Sequence, residues 1–188
     1  IMEKVLEEEN LYPYISNQDF NNGDLSYKIH SNLTFYKCRF KENYATAMTV
    51  LDSKFGSCLF MGNTFNKTVW ENVTHLDCNF DTQNYPQSSY KNVTHINSFF
   101  SSCMFAGLDS NNVHYIDSIF SDVGFFLESC ADTTFTNCDL EKSFIETIKG
   151  MTFCSKTELP DSSLPIAIAA TSDQNVAGGN CALTALEI

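Results

Sequence analysis

Basic residues are scarce in this chain: 11 lysines and arginines stand against 23 aspartates and glutamates, a formal net charge of −12. A nucleic-acid groove and an anionic membrane surface both require a positive field, so neither is expected as a partner, while cations and basic proteins stay open. Long apolar runs are missing as well. No stretch reaches the ~18 residues of a membrane span, and no basic leader precedes an apolar run. Neither an anchor, nor a signal peptide, nor direct membrane insertion is expected within these residues, which read as soluble. The chain starts at Ile1, with Met2 second, and is expected to be a piece of something larger. Catalytic signatures are lacking too: there is no G-x-S-x-G, no H-E-x-x-H, no P-loop and no nucleophile and base at a telling spacing, so no enzyme and no cofactor are expected. The 188 residues fit one domain, large enough to bury roughly two-thirds of its surface.

What the chain does have is a repeat. Taking every fifth residue from Phe35 to Ile145 gives 23 positions, of which 15 are Phe, Tyr or Trp, where a 13% aromatic composition predicts about three. Two residues earlier, 16 of 23 positions are small, among them Cys38, Ser53, Cys58, Thr68, Val73 and Ser88. These 46 positions contain one charged residue, Glu128, where an 18% charged composition predicts about eight, so both phases point inward. A period of five is neither the 3.6 of a helix nor the 2 of a strand, which excludes a helical bundle and an ordinary sandwich. Segments 31–40, 51–60, 71–80, 91–100, 111–120 and 131–140 also align without a gap, so four five-residue sides make one 20-residue coil.

This pattern resembles the pentapeptide-repeat family, whose unit has a small residue followed two places later by Leu or Phe, both inward. The resemblance implies an all-β, right-handed quadrilateral β-helix over residues 31–148, with about six 20-residue coils ~4.8 Å apart in a column roughly 28 Å long. Residues 1–30 are expected to form a helical or irregular N-terminal cap over the first coil, because an open coil end is an unpaired sheet edge. Residues 149–188 are expected to be a C-terminal cap and an extended tail.

Six of the eight cysteines fall on the inward phases, Cys38, Cys58, Cys78, Cys103 and Cys138 at the small position and Cys130 at the bulky one. Core packing is favoured for them over bridges between stacked coils. Cys154 and Cys181 lie outside the repeat and are expected to pair, closing a loop of about 28 residues for ~3 kcal/mol. His75 and His95 share a column one coil apart, with Tyr115 next. No third ligand appears there, so no metal is expected. The pair reads as core stacking, or as a pH-sensitive couple. Glu128 is expected to turn outward on a bulge in GFFLES rather than to be a buried acid with a raised pKa.

Four N-glycosylation acceptor triplets occur, at Asn32, Asn66, Asn72 and Asn92, and all four fall on outward phases. With eight cysteines they tilt the compartment towards a lumen or the exterior. The stretches FGSCLF, HLDCNF, HINSFF and YIDSIF resemble coils of the large luminal loop of the synaptic vesicle glycoprotein 2 family. In that family the loop is a glycosylated quadrilateral β-helix within a twelve-span transporter-like membrane protein of synaptic vesicles, and botulinum neurotoxins use it as a receptor. The resemblance implies a luminal or extracellular domain of a membrane protein, N-linked glycans and a protein partner, whether a toxin or an extracellular protein. Asn137-Cys138-Asp139 is not an acceptor triplet where the family's toxin-recognition glycan belongs, so toxin binding is carried over to no residue. Two alternatives stand beside this reading: an acidic DNA mimic that inhibits a type II topoisomerase, as some bacterial pentapeptide-repeat proteins do, and a structural spacer. Residues 111–148 hold no acceptor triplet, so a partner is expected on the fifth and sixth coils.

Overall fold

A computed structural model describes residues 13–145, 150–154 and 157–159. They form nineteen strands, most of them three residues long, and no helix. Each strand pairs in parallel with the strand one coil away, for most of the column in a register of twenty: Phe35 lies opposite Phe55, Phe80 opposite Phe100 and Val93 opposite Val113. The result is a β-solenoid of about seven stacked coils.

The residue before each small inward position has a left-handed backbone. Asn17, Asn22, Tyr27, Asn32 and Lys37 begin a series that runs at intervals of five to Asn137, with φ near 50° and glycine at 62 and 107; 127 alone drops out. Of the 22 non-glycine residues there, 13 are Asn or Asp, the types that enter this region at least cost. Each left-handed residue turns the chain by one corner, and its amide donates to a carbonyl of the next coil, as Asn22 N does to Lys41 O at 2.9 Å.

Between corners, the bulky phase fills the interior. From Phe35 to Ile145 every residue of that phase is buried except Cys130. Four columns of rings result. On the phenylalanine side, Phe20, Phe40, Phe60, Phe80, Phe100 and Phe120 stack at centroid spacings of 4.6 to 4.9 Å. The tyrosine side follows it (Phe65, Tyr85, Phe105, Phe125), then the tryptophan side (Val50, Trp70, Tyr90, Ser110) and the histidine side (Phe55, His75, His95, Tyr115). Neighbouring columns meet edge to face, as Phe80 does with His95 at 5.5 Å. Ala45 and Val50 hold places that aromatic rings take one coil further on, and a cavity of about 270 Å³ opens beside them, lined by Phe20, Leu25, Met48, Phe65 and Trp70 among others.

The column extends beyond both expected boundaries. Residues 13–30 are not a separate cap: Tyr14–Ser16 pairs with Thr34–Tyr36, and Asp19–Asn21 with Arg39–Lys41. Ile15, Phe20 and Leu25 keep the bulky rule, and Gly23 the small one, but Pro13, Gln18 and Lys28 break the small rule. At the other end, Met151–Cys154 pairs with Thr133–Thr136 at an offset of eighteen, so the repeat continues in a shifted frame.

Truncating Phe100, which is fully buried between Phe80 and Phe120, is expected to cost ~3–5 kcal/mol through the cavity left behind. Urea unfolding of Phe100→Ala checks it, and a loss below about 1 kcal/mol contradicts the stacked interior. Ala47 is exposed, at φ 52°. Removing its Cβ in Ala47→Gly is expected to raise stability by ~0.5–1 kcal/mol, the reverse of the usual effect of glycine.

Candidate interaction surface

Asn72, Asn92 and Asn112 occupy successive corners between the tryptophan and histidine sides. Their amides form a ladder: Asn72 Nδ2 donates to Asp52 Oδ1 at 2.8 Å, Asn92 Nδ2 to Asn72 Oδ1 at 2.9 Å and Asn112 Nδ2 to Asn92 Oδ1 at 2.9 Å. Asn32 lies at the foot of the same column. Asn32, Asn72 and Asn92 are exposed, and Asn66, on the tyrosine side, is half-buried. Each ladder amide has two hydrogens and uses one, so a sugar on Nδ2 leaves the ladder bond in place.

His75 and His95 are fully buried and stack at 4.5 Å with 5° between planes. Phe55 lies on His75 at 5.0 Å and Tyr115 on His95 at 4.9 Å. Trp70, Phe80, Tyr90 and Phe100 close the sides, and no charged group is among these contacts. None of the four ring nitrogens has a hydrogen-bond partner among the described residues. Desolvation lowers the His75 pKa to about 3. It lowers that of His95 far as well, and the charge of His75 adds to the effect.

The six inward cysteines are free thiols, five of them buried. The Sγ–H groups of the five buried ones serve the backbone: Cys78 donates to Phe55 O at 3.4 Å, and Cys103 to Phe80 O at 3.3 Å. Burial pushes the Cys103 thiol up to about 12 and that of Cys138 up to about 11, which leaves both unreactive at neutral pH. Cys154 is buried and disulfide-bonded, and its expected partner Cys181 lies outside the described residues. Glu128 is exposed, turned out where the pairing of Met104–Ile116 with Ile119–Ala131 slips.

Two groupings escaped the sequence. Phe99 and Ile119 stack on the outer face of the phenylalanine side, while Met104, Phe126 and Phe144 gather on the adjoining tyrosine side. Above Ile119 lies Asp139, whose carboxylate comes within 4.8 Å of those of Glu141 and Glu158. Glu158 arrives through backbone bonds to Cys138 O and Leu140 N, both 2.8 Å, in the shifted frame that hid it. Column neighbours twenty residues apart on two adjacent sides were the signal for the apolar group, and a repeat read in units of five does not display it.

No protein-family model matches the sequence, and no curated protein matches it. Among solved structures, the pentapeptide repeat protein Rfr23 from the cyanobacterium Cyanothece 51142 aligns with a TM-score of 0.55 at 8% identity, over 65% of this chain and 98% of that one. QnrB1, a plasmid-mediated fluoroquinolone resistance protein, aligns at 0.40 with 11% identity over 88% and 98%. HetL, a pentapeptide repeat protein involved in heterocyst differentiation regulation in Nostoc sp. strain PCC 7120, aligns at 0.24 with 7% identity over 85% and 90%. The chain is thus a β-solenoid of the pentapeptide-repeat type, a likeness of fold.

The histidine pair sets a pH dependence. Both rings are neutral when folded and charge near pH 6.5 when unfolded, so the stability they bring is complete above pH 6.5 and is lost as pH falls from there towards 3. Between pH 7.5 and 5.5 the pair is expected to cost ~3 kcal/mol, about 1.4 for each ring. Urea unfolding at the two pH values checks this against the His75→Phe/His95→Phe double variant, and an equal drop in that variant contradicts it.

Proposed function

We propose that this chain is a glycosylated protein-interaction module facing the lumen of a secretory or synaptic vesicle or the extracellular space, as the large luminal loop of a transporter-like membrane glycoprotein. The observation that carries the reading is the outward placement of every acceptor asparagine, three of them in one corner column, where Asn72 and Asn92 each use one of two amide hydrogens in the ladder. The coil signature shared with the synaptic vesicle glycoprotein 2 loops supports it, its aromatic, Asn or Asp, and Ser or Cys being ring, corner and inward donor in turn. A phosphate-like row of carboxylates, which a DNA mimic needs, is interrupted along the corners: Asp52, Asn72, Asn92 and Asn112 share one column, and Asp77, Asn97, Asp117 and Asn137 the next.

Protein secreted from eukaryotic cells is expected to lose mass on enzymatic deglycosylation, in steps that disappear one by one as Asn32, Asn66, Asn72 and Asn92 are changed to Gln. An unchanged mass removes the main support for the luminal reading.

A further inference from the structure

We propose that the apolar surface built by Phe99, Met104, Ile119, Phe126 and Phe144 is the docking site for a protein segment that presents apolar side chains flanked by arginine or lysine. The proposal deepens the interaction reading above and depends on it for its purpose, though not for its test.

Single exposed apolar residues are ordinary on a protein surface, whereas a contiguous group marks a contact. Here Phe99 is 38% exposed, Met104 42%, Phe144 44% and Ile119 49%, and they lie on three consecutive coils of two adjoining sides. The group is built rather than scattered. Phe126 stacks on Phe144 at 5.3 Å, and its ring lies over Gly124, where an added Cβ would come within 2.7 Å of Phe126 Cε2 and 3.1 Å of Met104 Sδ. A glycine at 124 thus lets the ring lie flat beside Met104 and joins the two coils into one surface.

Charge selects the partner. The three clustered carboxylates Asp139, Glu141 and Glu158 border the surface above Ile119, and Asp122 stands on the corner between the two sides, with Lys142 the cation nearby among the described residues. An apolar centre beside a concentrated negative rim is complementary to an apolar segment with basic flanks. A second copy of this chain brings the same rim and a net charge of −12, so it repels. Position agrees with this choice. The corner between the phenylalanine and tyrosine sides is diagonally across the column from the asparagine ladder, and Asn66, in the outward column of Phe126, lies three coils below it, roughly 14 Å away. Glycans at the four acceptors leave the surface open.

The test uses the whole chain made without glycans, so its failure is separate from that of the luminal reading. The probe is a fluorescein-labelled synthetic peptide alternating leucine and arginine, followed by anisotropy at physiological salt. Phe99→Ser/Ile119→Ser, which leaves the charge unchanged, and Glu141→Gln/Glu158→Gln, which leaves the apolar surface unchanged, are each expected to weaken binding by ~10-fold or more. Asp52→Asn/Asp109→Asn removes two charges elsewhere on the column and is expected to change binding less than ~2-fold. Peptide with glutamate in place of arginine is expected not to bind. Equal losses in the two charge-removing pairs, or undiminished binding by the serine pair, overturn the proposal. So does self-association of the chain that the serine pair abolishes, since the occupant is then a second copy.

Discussion

A left-handed residue at every fifth position is the constraint on which this column depends, because each such corner leaves backbone groups that strand pairing does not reach. The residue after a corner turns its amide inward, and the ring-bearing residue of each side turns its carbonyl towards the next coil. Where the small inward residue is polar, both find its side chain. Leu33 N donates to Ser53 Oγ at 3.2 Å, Asn43 N to Asn63 Oδ1 at 2.9 Å and Cys138 N to Thr157 Oγ1 at 3.2 Å. In the other direction, Asn63 Nδ2 donates to Phe40 O at 2.7 Å and Ser88 Oγ to Phe65 O at 2.7 Å. A buried backbone group without a partner costs about 1–3 kcal/mol. The small phase is therefore filled by Ser, Thr, Cys and Asn for their donors and acceptors as much as for their size, which also explains why so many cysteines remain thiols.

With the corners fixed, the coil spacing is fixed, and the rings inherit it. A spacing near 4.8 Å is one at which aromatic faces stack with a small offset, so each column gains from every added coil. Two imidazoles in such a column are tolerated as flat rings and penalised as bases. Their nitrogens gain nothing, and the column sets a cost on acid that a phenylalanine in the same place would not.

The period was legible in the sequence because inward positions constrain side-chain volume, and volume is visible residue by residue. The corners were legible in part: Asn and Asp stand at 72, 77, 92, 97, 112 and 117, yet Tyr27, Lys37 and Ala47 do the same turn without a telltale side chain. Residues 13–30 hid their coil because Pro13, Gln18 and Lys28 interrupt the small phase there. Met151–Cys154 hid theirs because an offset of eighteen replaces twenty, which no fixed-period reading follows. Outward placement of the acceptor asparagines followed from phase alone. The ladder between them, and the carboxylates that meet above Ile119, depend on which coil lies over which, and that is a property of the stack.

The irregular stretch around Leu108 ties the interior to the surface. Ser110 and Cys130 leave the tryptophan side short of volume in the upper coils. Leu108, at a nominally small position, compensates by packing inward at 1% exposure. Accommodating it shifts the register on either side of Leu108, with Gly107 left-handed on one strand and Glu128 turned out on the other. Corner 127 is lost in the same step, within the strand from Ile119 to Ala131. Phe126 sits on that strand just before the slip, which places its ring flat over Gly124 beside Met104. An interior deficit in the adjoining column is thus part of the reason that the outer surface at these coils is apolar and continuous, while the coil below it, with regular corners, presents Asn79 and Asn84 at the same places.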